Sequence, residues 1–394
     1  MKNLIIFVLT LILIHSNTLS GNRTIEVKKG ESLQTAIDIS VDGDTILIYE
    51  GEFKALPRSY IEEECGNCSQ HNTNVTATAG FIVEGKAVVI KGAGPFKTKL
   101  ITNAGYGFLF QNSSGSLICN LTISGGKRDR DANATNGGIV TKNSIVHIKN
   151  VHVKDNEEYS DDIVVGISGI VGRDNSELII EKCIIRNNSW DGIALYRGAI
   201  AVIQENTIEQ GRGVGIGITW DAKATVMKNS VSYYWKGIGT FGNSSAIVKN
   251  NIVFENLGWG IVITGSSTME VANNVVDKNG NCGIAVWEST AVGKIYNNII
   301  TNNGWRDEWV CPQVGFWMNG DSVNVEFSYN NLWNNIMGNY RFIKDLTGIN
   351  GNLSVDPLFI PEKNYTLERT SPLKNAGSFY PNSKGKRFPI GKQD

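Results

Sequence analysis

The chain is poor in the residues that mark many functional classes. Its 394 residues contain four His, five Met, six Cys and eight Pro; 19% are charged and the formal net charge is −1. Nothing here is basic enough for nucleic acid, and the near-neutral balance provides no long-range steering toward a polyanion, so recognition of an acidic polymer has to be local. No long apolar stretch of roughly 18 residues or more, as a transmembrane segment would need, follows the first residues. With 43 Gly, the composition fits a soluble β-rich chain.

The start has the layout of a secretory signal peptide, with Lys2, an apolar run over 4–14, then Thr18 and Ser20. The expectation is a signal over 1–20, cleavage near Gly21, and one mature domain over 21–394 with a cap at about 24–53 and a tail at about 340–394. No Cys follows the run, which argues against a lipid anchor. A secreted or otherwise extracytoplasmic location, in the periplasm or at the cell surface, permits disulfides among Cys65, Cys68, Cys119, Cys183, Cys282 and Cys311. Cys65 and Cys68 read as a tight loop disulfide or half of a metal site; the pairing stays open.

What the chain has in abundance is a repeat. Gly192-Ile193, Gly215-Ile216, Gly237-Ile238, Gly260-Ile261 and Gly283-Ile284 follow one another at 23, 22, 23 and 23 residues. Each period also carries an Asn, at 206, 229, 250, 273 and 297. Such a period is one solenoid coil, and its short Ile- and Val-rich runs alternating with period two leave no room for an amphipathic helix. Stacked coils give parallel sheets and a shared core. The Asn residues are expected both to take the left-handed turn conformation and to stack through their amides. Thr24–Val27 reads as a strand, and Ser32 as the N-cap of a short helix near Leu33–Ile39 that closes the open end.

The same register extends back to Gly80, Gly107, Gly138 and Gly169 and forward to Gly315, with longer coils at both ends. The extra residues fall at 127–136, 157–162 and 304–313, predicted as walls around a trough floored by the short coils. On that floor Ala194, Gly217, Gly239, Val262 and Ala285 point outward and make a flat strip, with Tyr196, Phe241 and Trp287 recurring on alternate coils. Flat ring faces suit the C–H face of a sugar; rings packed on one another or on wall loops are the other reading. Arg197, Trp220, Trp235, Trp259 and Glu288 complete the expected binding surface. Asp191, Arg212, Asp221 and Lys236 are the candidates for acid–base chemistry, either in glycoside hydrolysis or in proton abstraction beside a uronate. Glu157, Glu158, Asp161 and Asp162 form the candidate site for a hard cation such as Ca2+; a solvated acidic turn is the alternative.

The Gly-Ile and Asn-x-Ile repeats resemble right-handed parallel β-helix proteins of the pectin-lyase-like superfamily. The opening 31–53, and the closing Asp356-Pro357-Leu358-Phe359 and Ser371-Pro372-Leu373 stretches, are similar to the cap and tail of secreted members. The resemblance implies an all-β, right-handed parallel β-helix of about nine or ten coils with an N-terminal capping helix. It is poor for activity, because the superfamily includes lyases, hydrolases, epimerases, carbohydrate-binding proteins and stalks. Asp161-Asp162 is similar to the Asp pair of polygalacturonases, but the Gly-His-Gly turn that should follow is missing, and so is the His motif of common pectate lyases. No catalytic residue transfers by motif. The expected function is a secreted protein that binds and processes a polysaccharide as a lyase or hydrolase. The alternative is a non-catalytic carbohydrate-binding or surface solenoid, and a copper-maturation type ranks last for want of Met or His clusters.

Overall fold

Period-two alternation places every second residue of each short run on the same side, and stacking the runs turns those residues into columns. A computed structural model describes residues 23–65, 71–157, 164–319, 324–379 and 387–393. The described chain forms two compact units, one ending at Thr207 and one beginning at Ile208. Each is a stack of parallel coils. In the first unit the parallel register Phe81, Phe108, Ile139, Ile170, Ile193 makes one internal column. In the second, Ile216, Ile238, Ile261, Ile284 and Phe316 make another. All ten side chains are essentially excluded from water, at roughly 1.5–3 kcal/mol of transfer free energy for a full side chain.

The glycines of the repeat are there for close approach. A Cβ on Gly237 would lie 2.5 Å from the carbonyl oxygen of Gly260, and one on Gly260 would lie 2.6 Å from that of Gly283. Each coil therefore needs glycine where the next coil's backbone crosses it.

The cap forms as expected. Leu33–Ile39 is helical, the Ser32 hydroxyl accepts from the Thr35 N–H at 3.2 Å, and Leu33, Ala36 and Ile37 are buried. Gln34 also pairs like a strand, donating to the Ile82 carbonyl at 3.0 Å and accepting from its N–H at 2.9 Å. That satisfies an edge that would otherwise be open. Arg58–Glu62 runs antiparallel to Val75–Glu84, a departure from the all-parallel expectation.

The Asn positions correct the expectation that one residue per turn does two jobs. The left-handed conformation belongs to Glu205, Lys228, Asn250, Asn273 and Asn297, with φ of 56° to 58°. The amide ladder belongs to the residue that follows. In the second unit Asn251 Nδ2 donates to Asn274 Oδ1 at 3.0 Å, Asn274 to Asn298 at 3.0 Å and Asn298 to Asn330 at 2.9 Å. At these three positions the left-handed Asn250, Asn273 and Asn297 hold the tail instead, whereas the left-handed Asn143, Asn150 and Asn334 each donate to a left-handed Asn one coil away, at 2.8, 2.7 and 2.8 Å. Asn250 Oδ1 accepts from the Gln393 N–H at 3.1 Å, Asn273 donates to the Gly391 carbonyl at 3.2 Å, and Asn297 donates to the Ser378 hydroxyl at 2.8 Å. A second ladder, Asn256 to Asn279 to Asn303 to Asn335, runs along the other turn. The tail's Leu373 and Ile390 then bury against Val275 and Ile299.

Asn274→Ala should orphan the buried N–H of Asn251, whose side-chain amide keeps the Val226 and Lys249 carbonyls, and lower stability by about 1–3 kcal/mol. Asn273→Ala should loosen the tail at a smaller cost. Urea unfolding of the two variants reads the difference, and equal losses would contradict the division of labour. Ile238→Asp should prevent folding, since a charge would sit unpaired in the column; a soluble, cooperatively melting variant would count against that column.

Candidate functional site

In the second unit the aromatic residues converge on the outer side of the strands. Lys236 and Trp259 are register partners at the start of adjacent strands, and Ala285 and Trp317 are partners further along. Phe241 covers Gly239, whose absent Cβ would sit 2.7 Å from the ring. Trp309, from the 304–313 loop, packs on Trp235 with centroids 5.0 Å apart. The row continues from Trp235 to Trp259 at 5.8 Å, from Trp259 to Trp287 at 5.5 Å and from Trp287 to Trp317 at 5.5 Å. Five tryptophans thus form one unbroken run. Trp259 and Trp317 are buried, Trp235 and Trp287 half-buried, and Trp309 is 70% exposed.

Two cations sit on this run. The Lys236 Nζ lies 5.2 Å from the Trp259 centroid and 5.6 Å from that of Phe241, and the Arg306 guanidinium carbon lies 4.7 Å from the Trp235 centroid. These distances are within cation–π range. The loop that brings Arg306 and Trp309 is tied down by its backbone. The Arg306 N–H donates to the Gly280 carbonyl at 2.7 Å, the Asn281 amide to the Asp307 carbonyl at 3.0 Å, and the Trp305 indole to the Lys278 carbonyl at 2.6 Å.

The expected open strip and sparse ladder are corrected here. Val262 and Ala285 are completely buried beneath Trp259, Trp317 and their neighbours. Phe241 and Trp287 are therefore parts of a packed cluster, and the rings do pack on one another. Trp317 and Trp309 were missed because the first lies in the lengthened Gly315 coil and the second in an insertion that repeat phasing does not place. Arg306 was missed for the same reason.

The other nominated residues divide. Arg212 and Asp221 are exposed in the second unit. Trp220 has a left-handed backbone (φ 62°), and its carbonyl accepts from the Asn243 N–H at 2.8 Å, a turn position. Glu288 is exposed, and its carboxylate accepts from the Gly265 N–H at 2.7 Å. Asp191, Tyr196 and Arg197 belong to the first unit; Asp191 is buried, and Arg197 is a turn residue with φ 45°. The carboxylates Glu158, Asp161 and Asp162 lie outside the described residues, while Glu157 is described. Among the described residues no three His, Cys, Asp or Glu side chains are grouped to hold a metal ion.

The first unit contains a cluster that repeat reading did not find. Lys142 and Arg173 are register partners on adjacent strands, and both meet the buried Glu62. The Glu62 carboxylate pairs with Arg173, takes the Lys142 Nζ at 2.7 Å and accepts from the Tyr106 hydroxyl at 2.8 Å. Lys142 also donates to the Tyr60 hydroxyl at 2.9 Å, and that hydroxyl donates to Gln111 at 2.6 Å. Burial alone would raise the Glu62 pKa, but the Arg173 charge and hydrogen bond, with Lys142, hold it below its ordinary 4.5. Burial pushes the Tyr106 and Tyr196 phenols upward, Tyr196 also through the charge of Asp191. Cys65, Val75, Ala77 and Ala134 close over Val140, Val171 and Ala194, so this face is covered as well. Its 127–136 loop is interlocked: Asn136 accepts from Arg128 at 2.7 Å and donates to Asp129 at 2.8 Å.

Arg173→Met should cost about 3–5 kcal/mol, because it leaves Glu62 buried with a weaker partner set. The sign of the pH dependence follows from the depressed Glu62 pKa. Its contribution is present above the unfolded-state value near 4.5 and is lost as pH falls below it. Wild type should therefore lose stability on acidification more steeply than Glu62→Gln, measured by thermal melts from neutral to acid pH; parallel profiles would contradict the assignment.

Comparison with known proteins places the fold. The model of the right-handed β-helix region matches residues 60–231 and 168–293. Among solved structures, the A-module of mannuronan C-5 epimerase AlgE6 from Azotobacter vinelandii is similar at 14% identity and TM-score 0.49, covering 82% of this chain and 94% of that one. A pectate lyase, Pel9A, is similar at 14% identity and TM-score 0.45 over 96% of this chain and 100% of the other. The periplasmic alginate epimerase AlgG is similar at 16% identity and TM-score 0.43 over 84% and 83%. With its family model matched across 60–293, the chain belongs to the right-handed parallel β-helix family.

Proposed function

We propose that this chain is an extracytoplasmic protein that binds a polysaccharide along the tryptophan row of its second unit and processes it there as a lyase or hydrolase. The observation that carries the reading is the unbroken run of five tryptophans ending in the exposed Trp309 and bearing Arg306 and Lys236 on its rings. Indole faces match the C–H faces of sugar rings, and a run along stacked coils matches a polymer with a repeating unit. Two cations at the row favour an acidic glycan such as a polyuronate, whose capture has to be local in a chain of net charge −1. Lys236 is the candidate for the proton transfer, as the nominated cation seated in the row.

Screening the mature chain against neutral and acidic polysaccharides, with and without Ca2+, tests this reading. Binding is read by affinity electrophoresis, and turnover by new reducing ends and by the ultraviolet absorbance of unsaturated uronates. Trp309→Ala should weaken binding by about 1–3 kcal/mol, in the range of aromatic anchors, and leave the melting temperature nearly unchanged because the ring is mostly exposed. Trp287→Ala should lower both affinity and melting temperature, since that ring is packed between two others. Lys236→Ala should remove turnover and weaken binding of acidic glycans several-fold, with the binding that depends on Trp309 retained. Wild-type affinity in Trp309→Ala, or no affinity for any glycan in the panel, would sink the proposal.

A further inference from the structure

Two buried thiols meet beside the tryptophan row. The Sγ atoms of Cys282 and Cys311 are 3.4 Å apart, and both residues are essentially excluded from water. Cys282 immediately precedes the Gly283-Ile284 start of a coil, whereas Cys311 lies on the 304–313 loop, two residues beyond Trp309. They pack in one apolar cluster with Trp259, Val262, Ala285, Val314 and Trp317. Cys183, by contrast, lies in the first unit and directs its sulfur at the Glu181 carbonyl oxygen, 3.3 Å away. The juxtaposition of Cys282 and Cys311 therefore has a specific geometry, and a bond of about 2.05 Å between the two sulfurs needs only a small further approach.

We propose that Cys282 and Cys311 are joined by a disulfide in the extracytoplasmic protein, and that this cross-link locks the 304–313 loop so that Trp309 and Arg306 stay seated on Trp235. Its effect on ligand binding rests on the polysaccharide reading above; the cross-link itself does not. The oxidant is a disulfide of an extracytoplasmic thiol oxidoreductase or of glutathione. The thiolate of one cysteine attacks a sulfur of that disulfide and expels one thiolate; the second cysteine attacks the mixed disulfide and expels the other. Two protons leave the cysteines, two electrons pass to the donor, and the donor ends as two thiols. Burial raises the Cys282 thiol well above its ordinary range, so exchange takes place as the coil closes, before the tryptophans cover the sulfurs.

Protein collected from the extracytoplasmic fraction should be unfolded without reductant, alkylated, digested and weighed. The expected product is one peptide pair joined through Cys282 and Cys311, about 2 Da lighter than the separate thiol peptides. Alkylation of both residues, or either one found joined to a different cysteine, would overturn the cross-link. The locking role is read on the double variant Cys282→Ala with Cys311→Ala. It should melt roughly 5 °C or more below wild type, show red-shifted tryptophan emission and bind the glycan several-fold more weakly. Wild-type emission and affinity in the folded variant would overturn the locking role. If the variant fails to fold, wild type unfolded, reduced and refolded in the presence of a phosphine gives the same readings. Absence of glycan affinity in both redox states would remove the polysaccharide reading, while the peptide mass and the emission still decide the disulfide and its hold on the loop.

Discussion

Within each unit, whatever stands on one coil must fit against its copy at a backbone spacing of roughly 4.8 Å. This single constraint selects the residues of the repeat. It demands glycine where a Cβ on Gly237 would meet the carbonyl of Gly260, because no side chain survives an approach that close. It favours Asn at 251, 274 and 298, because an amide can donate to the amide above and accept from the one below while buried. It puts Ile over Ile at 216, 238, 261 and 284, because identical branched side chains nest when repeated by a translation. The same spacing that stabilises the core also lines up the outward residues, which is how an extended aromatic row arises from single residues on separate coils.

The two clusters use that alignment in different ways. In the first unit the register partners Lys142 and Arg173 place two positive charges side by side, a repulsion offset by the buried Glu62, which comes from the antiparallel excursion of the chain, and by Asp174 next to Arg173. Such a set is strongly specified but inaccessible, since Arg173 is fully buried, so it suits pinning the covering segment better than chemistry on a polymer. In the second unit Lys236 and Arg306 lie over aromatic rings and are half-exposed, with Trp309 in the same row. Half-exposed side chains can be reached by a polymer, whereas a fully buried one cannot. That difference is why the functional reading goes to the second unit.

Much of the fold was legible because it repeats. The Gly-Ile period marks the coils, Ser32 and the Leu33, Ala36, Ile37 stripe mark the cap, and both need only local rules. The Asn turns were half legible: the residue type was evident, but splitting the left-handed backbone at Asn273 from the amide ladder at Asn274 takes a backbone trace. Of the site, Trp235, Lys236, Phe241, Trp259 and Trp287 could be nominated from their places near the repeat. Arg306, Trp309 and Trp317 could not, because insertions fall out of phase and a loop's path is set by contacts such as the Arg306 N–H on the Gly280 carbonyl.

By itself the sequence determined that the chain is a stack of parallel β-coils with a helical cap, since translational repetition is written directly into residue type and spacing. Tertiary structure alone decided what lies over the outward faces. Glu62 and Arg173 are 111 residues apart in the chain yet form a buried pair, and Trp235 and Trp309 meet only because an insertion folds back. Contacts of this kind depend on where long connections close in space, and no period in the sequence encodes that.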